Sequence, residues 1–152
     1  MGQHSRCLHA FRYKNGQLTR LDASDSDQSV AVAINDAGQI VGNILNPITN
    51  GFSASYTIVQ AFVYDRGRLK PLEPGTNSAA GINNQGQIVG GYQTSGGPSH
   101  AFVYRHGLMT DLGTLGGSSS GAEAINNRGD IVGGSDLTSS YTPLHPFLYR
   151  TV

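Results

Sequence analysis

The sequence predicts an all-β fold built from tandem repeats, and three observations carry that prediction. A ten-residue phrase occurs three times, as Ala33-Ile34-Asn35-Asp36-Ala37-Gly38-Gln39-Ile40-Val41-Gly42, as Gly81-Ile82-Asn83-Asn84-Gln85-Gly86-Gln87-Ile88-Val89-Gly90, and as Ala124-Ile125-Asn126-Asn127-Arg128-Gly129-Asp130-Ile131-Val132-Gly133. A shorter phrase, His9-Ala10-Phe11-Arg12-Tyr13, returns as Gln60-Ala61-Phe62-Val63-Tyr64, His100-Ala101-Phe102-Val103-Tyr104 and His145-Pro146-Phe147-Leu148-Tyr149. Finally, no window of useful length has helical periodicity, whereas short runs rich in β-branched and aromatic residues alternate with turn residues. Self-similarity at roughly 40–50 residues marks a repeat architecture, in which each unit buries its faces only against its neighbours.

The elements follow in order. Phe11 to Tyr13 forms a strand that turns at Asn15-Gly16, and its equivalents turn at Arg66-Gly67 and His106-Gly107. Asn-Gly is a strong hairpin signal because both central residues of the tightest turn need φ > 0. The returning strands, Gln17 to Leu21, Arg68 to Leu72 and Leu108 to Leu112, alternate leucine with polar residues and so have one buried face. Pro71 cannot donate a ladder hydrogen bond, which places it at an edge or a bulge. A third strand, Val30 to Ile34, and a fourth, Gln39 to Ile44, flank the first Asn-Asp turn, and the later copies follow suit.

Four strands in roughly 40–45 residues match a propeller blade. The expected fold is therefore three tandem four-stranded antiparallel β-sheet repeats, β-propeller-blade-like, within a single domain spanning 1–152. The repeats cover about 9–59, 60–99 and 100–144, with a truncated fourth copy at 145–152. A pseudo-threefold β-prism or β-trefoil is the alternative. Propellers commonly use four or more blades, so two closures stay open: three sheets around an axis within one chain, or a homodimer completing a six-bladed ring. A longer protein with more repeats satisfies the same need.

Composition narrows the function classes. Ten basic and ten acidic residues balance, and only 13% of the chain is charged. No basic footprint for nucleic acid follows, nor a polybasic membrane patch. No stretch approaches the roughly 18 apolar residues of a membrane span. Cys7 is the single cysteine, so neither an intrachain disulfide nor a cysteine-based metal cluster is expected. The N-terminal Met-Gly-Gln-His-Ser-Arg-Cys-Leu lacks the apolar run of a signal peptide.

The His-Ala-Phe triplets His9-Ala10-Phe11 and His100-Ala101-Phe102, the phrase Asp111-Leu112-Gly113-Thr114-Leu115-Gly116-Gly117 and the Ile-Asn-x-x-Gly-x-Ile-Val-Gly signature together resemble the HAF repeat family of extracellular repeat proteins. The resemblance spans nearly the whole chain. It departs from the family pattern at Gln60 and Pro146, has Tyr where Trp is expected two residues after Phe, and lacks Gly-Thr-Leu-Gly-Gly in the first two repeats. The resemblance implies an exported, repeat-built β protein and supplies no catalytic residues.

Candidate sites are read against plainer roles. His9, His100 and His145 occupy equivalent places in successive repeats, too far apart to share one zinc ion at roughly 2 Å bonds. A histidine bonding a loop at the strand start is the reading adopted. Asp22, Asp25 and Asp27 form the one concentrated acidic stretch, a weak calcium candidate that lacks the Gly and terminal Glu of an EF-hand loop and reads first as a solvated turn. The remaining carboxylates are scattered, with no spacing that predicts a glycosidase pair, and no phosphate loop precedes a helix. No cofactor is expected.

What remains is recognition. Phe52, Tyr56, Tyr92 and Tyr141 lie in or beside the loops after the fourth strand of each repeat, among Asn, Ser, Thr and Asp. Aromatic rings beside hydrogen-bonding side chains suit a carbohydrate or a protein surface. The expected function is a non-catalytic binding or adhesion module, with a structural scaffold of a larger propeller as the alternative and a hydrolase behind both.

Overall fold

A computed structural model of the chain describes residues 8–22, 28–49, 54–138 and 144–150. Among these there is no helix, and thirteen strands form four antiparallel sheets. β1 (Phe11–Lys14) pairs only with β2 (Gln17–Arg20). The second sheet joins β3 (Gln28–Ile34), β4 (Ile40–Thr49), β5 (Ala54–Asp65) and β6 (Arg68–Pro71) in that order. The third joins β7 (Ser78–Ile82), β8 (Ile88–Gln93), β9 (Ser99–Arg105) and β10 (Leu108–Gly113). The last holds β11 (Ser120–Ile125), β12 (Ile131–Ser135) and β13 (His145–Tyr149).

Most strands and turns fall where the phrases place them, but β4 runs past the expected end at Ile44 to Thr49 and pairs there with the start of β5, and the sheets straddle the repeats. The His-Ala-Phe hairpin of one repeat joins the Ile-Asn hairpin of the repeat before it, so the sheets hold two, four, four and three strands rather than three sets of four. The reason lies in the register. Each Phe sits directly opposite the Gly of the preceding Ile-Val-Gly strand, as Phe62↔Gly42, Phe102↔Gly90 and Phe147↔Gly133. A β-carbon at Gly42 would collide with the Phe62 ring, and one at Gly133 would lie 2.8 Å from the ring of Phe147.

The same glycines face a β-bulge. The register slips once in the first strand of each of the last three sheets, between Ala31 and Ala33, Ala79 and Gly81, and Ala122 and Ala124. The extra residue draws the two backbones together, so that a β-carbon at Gly42, Gly90 or Gly133 would land on the carbonyl oxygen of Val30, Ser78 or Gly121. The three returning hairpins close through Asn15, Arg66 and His106, at φ of 51°, 49° and 50°, each followed by a glycine.

Adjacent Ile and Val in each Ile-Val-Gly strand point to opposite faces, and consecutive sheets pack face to face through them. Ile40, Phe62 and Tyr64 meet Ala10 and Leu21 from the first hairpin. Val41 and Ala61, on the other face, meet Ile82, Ile88 and Phe102 of the third sheet. Val89, Ala101 and Val103 in turn meet Ala122 and Ile131 of the last. Phe62 and Phe102 are fully buried, each contributing about 1.5–3 kcal/mol of apolar burial.

A ladder of asparagines ties the inner edge of the stack. Asn35 Nδ2 donates to the carbonyl of Asn83 at 3.0 Å, and Asn83 Nδ2 to that of Asn126 at 3.1 Å. Beside it, the Asp36 amide donates to Asn84 Oδ1 at 3.0 Å, and the Asn84 amide to Asn127 Oδ1 at 2.9 Å. Within each turn the asparagine also binds its own loop, as Asn83 Oδ1 accepts from the amides of Gln85 and Gln87.

Candidate binding site

Antiparallel alternation puts the Asn turns at one end of the sheets and, at the other, the C-terminal ends of β4, β8 and β12 with the starts of β3, β7 and β11. Two polar nodes organise this second end. In the first, His9 Nδ1 lies 3.0 Å from Asp22 Oδ2, the Ser29 hydroxyl donates to the same oxygen at 2.6 Å, and Arg20 Nε donates to Asp22 Oδ1 at 2.7 Å. Ser29 Oγ also accepts the Ala10 amide at 3.0 Å, which locks the start of β1 to β3. Burial pushes the Asp22 carboxyl pKa up, but the bonds from Ser29, His9 and Arg20 outweigh it and hold the group below its ordinary range.

The second node crosses β8, β9 and β10. Tyr92 and His100 face each other in register, with ring centroids 6.1 Å apart at 85°. His100 Nδ1 lies 3.0 Å from Asp111 Oδ2, and the Gly113 amide donates to Asp111 Oδ1 at 2.7 Å. Burial opposes ionisation of Asp111, but hydrogen bonds from His100, Gly113 and Tyr92 lower its pKa. Burial, followed by the bond to Asp111, raises that of the Tyr92 hydroxyl, which therefore keeps its proton and donates it. Ser120 repeats the part of Ser29, taking the Ala101 amide at 2.8 Å and donating to the Gly113 carbonyl at 2.5 Å. At Gln60, which replaces the histidine, Nε2 donates to the Leu72 carbonyl at 2.9 Å.

His9 bonds Asp22 in the linker after β2, in line with the expected bond to a loop, whereas His100 bonds Asp111 within strand β10. Of the aromatic candidates, Tyr92 is half-buried, leaning on the second apolar layer. Tyr56 lies on the β4–β5 arm opposite Pro47. Phe52 and Tyr141 lie outside the described residues, as do Asp25 and Asp27. The oxygens of Asp22 already accept from side-chain donors, so a calcium ion would have to compete with them. Among the described residues, no three His, Cys, Asp or Glu side chains group as metal ligands.

One feature escaped the sequence reading. Between the first hairpin and the second sheet lies a cleft of about 580 Å³, walled by Thr19, Arg20, Asp22 and Arg68 and floored by Tyr64 and Leu69. Only the half-repeat offset of the sheets brings Thr19 of β2 near Arg68 of β6, and no local pattern announces it. No protein-family model, curated protein or solved structure matches this chain.

Proposed function

We propose that the chain is a non-catalytic binding module, an arc of propeller-like blades whose inter-sheet cleft and neighbouring loops recognise a glycan or a glycan-bearing surface. The cleft carries this reading. Its volume falls within the usual range for small-ligand sites, and it sets charged and hydroxyl groups around an aromatic and aliphatic floor. That combination suits a sugar, whose hydroxyls need donors and acceptors and whose C–H faces need apolar contact. Tyr56 and Tyr92 lie at the opposite end of their sheets from Arg68, on the side of Asp22 and Ser29. The blade reading is supported by the order of strands within each sheet, by the face-to-face packing and by the ladder along the first strands. The resemblance to HAF repeats adds an extracellular setting.

Tyrosine emission offers a direct test, since the chain has seven tyrosines and no tryptophan. Titration with a broad panel of oligosaccharides should give a saturable change. Arg68→Ala and Thr19→Val should each weaken it about tenfold or more, with strand circular dichroism unchanged. Silence across the panel would refute the glycan reading. A second reading, a scaffold segment of a larger ring, is favoured by the apolar side chains exposed on both end faces of the stack, Phe11 and Ile34 at one end and Val132 and Leu148 at the other.

A further inference from the structure

The two ends of the stack are the separated halves of a junction made twice inside it. In each internal junction, the Val of one Ile-Val-Gly strand shares an apolar layer with the Ile that precedes Asn in the next sheet: Val41 with Ile82, and Val89 with Ile125. Val41 and Val89 are fully buried, yet Val132 is 45% exposed at one end and Ile34 62% exposed at the other.

The asparagine ladder has the same polarity. The Asn35 and Asn83 side chains and the Asp36 and Asn84 amides donate forward along the chain, and one return bond runs from Asn84 Nδ2 to Asp36 Oδ2 at 2.6 Å. The next rung would run from the Asn127 amide to an acceptor placed like Asn84 Oδ1. The position that corresponds to Asn84 at the opposite end is Asp36, whose Oδ2 accepts from Asn84 Nδ2 and whose Oδ1 is placed to accept from another copy. A donor end and an acceptor end make a head-to-tail pair.

Strand β1 completes the argument. β5, β9 and β13 carry the same phrase as β1, and each lies on an Ile-Val-Gly strand in one register. Among the described residues β1 pairs on one edge only, with β2, and Phe11 and Tyr13 are 56% and 69% exposed. Among the Ile-Val-Gly strands, β4 and β8 hold complete hairpins, whereas β12 holds β13, with no fourth strand among the described residues.

We propose that two copies of the chain associate head to tail, the β1–β2 hairpin of each replacing β13 on β12 of the other. Phe11 then takes the place of Phe147 opposite Gly133, β2 supplies the missing fourth strand, and Ile34 closes against Val132 of the other copy. β13 must leave, because the hairpin stays seated on its own second sheet through Ala10 and Leu21 and arrives where β13 lies. The result is a ring of six four-stranded sheets. The inference rests on the scaffold reading; the glycan cleft lies within one chain and stands or falls separately.

Light scattering at low micromolar concentration should read twice the 16.0 kDa chain mass. Ile34→Asp or Val132→Asp should return it to one chain with strand circular dichroism retained, as both positions are exposed in the single chain. Phe147→Asp should leave two chains, since β13 takes no part in the ring. In a Cys7→Ser background, mixing Ile34→Cys protein with Val132→Cys protein under mild oxidation should give a disulfide-linked pair that neither forms alone. A single-chain mass for the unaltered protein, or crosslinking by Ile34→Cys alone, would overturn the head-to-tail pairing. Dissociation caused by Phe147→Asp would overturn the exchange. Glycan titration of the Ile34→Asp monomer reads the cleft independently of either result.

Discussion

Replacing Asn83 by alanine removes the middle rung of the ladder. The side chain is 3% exposed. It donates to Gln87 Oε1 at 2.7 Å and to the Asn126 carbonyl at 3.1 Å, and it accepts from the amides of Gln87 at 3.0 Å and Gln85 at 3.1 Å. Gln85 is exposed, so its amide turns to water at little cost. The Gln87 amide loses its acceptor, which costs about 1–2 kcal/mol at the lower half of the range for an unpaired group. The Asn126 carbonyl keeps the Gly129 amide at 3.0 Å, so only the net worth of one bond, about 0.5–1.5 kcal/mol, is lost there. Together these give about 1.5–3.5 kcal/mol, and at roughly 2–4 °C per kcal/mol for a domain of this size the melting midpoint should fall by about 3–14 °C. Asn126→Ala is the internal control. That side chain makes matching bonds within its own turn but is exposed and donates to no further sheet, so its loss should cost less than about 1 kcal/mol. Urea denaturation followed by circular dichroism compares the two. If they agree within about 0.5 kcal/mol, the ladder between sheets contributes nothing and the argument fails.

Three further outcomes follow from the same geometry. Gly90→Ala should cost at least about 2–3 kcal/mol, because its β-carbon would overlap the Ser78 carbonyl, whereas Gly96→Ala, with Pro98 Cδ nearest at 3.8 Å, should be neutral within about 0.5 kcal/mol; equal urea midpoints would refute the bulge account. Asp22 and Asp111 titrate below the ordinary carboxylate range in the folded chain, so their contribution is full above about pH 4 and is lost as pH falls through the lowered values. The midpoint difference between the unaltered protein and Asp111→Asn should therefore shrink in acid, and a pH-independent difference would mean the node does not form. His106→Asn should stabilise by about 0.5–1 kcal/mol, since Asn accepts positive φ more readily than His; Asn15 already occupies the matching turn, and a loss of stability would show that the His106 ring makes a contact the turn needs.

Much of this architecture is local and therefore legible. Ile-Val-Gly reads as a strand because β-branched residues suit a pleated surface, and Asn15-Gly16 reads as a turn because both residues tolerate positive φ. His9 and His100 each tether a strand start to a carboxylate on the neighbouring chain segment. Other features depend on residues far apart. Nothing around Arg20 or Asp111 tells which strand will carry the carboxylate for the histidine, and the two nodes place it two positions apart in otherwise equivalent strands. Asn43 is a further case: it bonds both backbone groups of Ala79 across the sheets, with Nδ2 to the carbonyl at 3.3 Å and Oδ1 from the amide at 2.8 Å, a role that its glycine equivalents, Gly91 and Gly134, cannot share.

Side-chain alternation and turn chemistry act over a few residues, so the chain alone settled that it is all β and where the Asn-Gly-type and Ile-Asn hairpins turn, while the extension of β4 and β5 into an arm was not legible. Which hairpins share a sheet was settled by long-range fit. A Phe ring finds room only opposite a glycine, and that glycine belongs to the repeat before, so every sheet is offset by half a repeat. The offset creates the cleft beside Arg68 and leaves Ile34 and Val132 uncovered at the ends. Pairing between distant edges depends on shape and solvent exclusion across the assembled molecule, and no short window of sequence contains either.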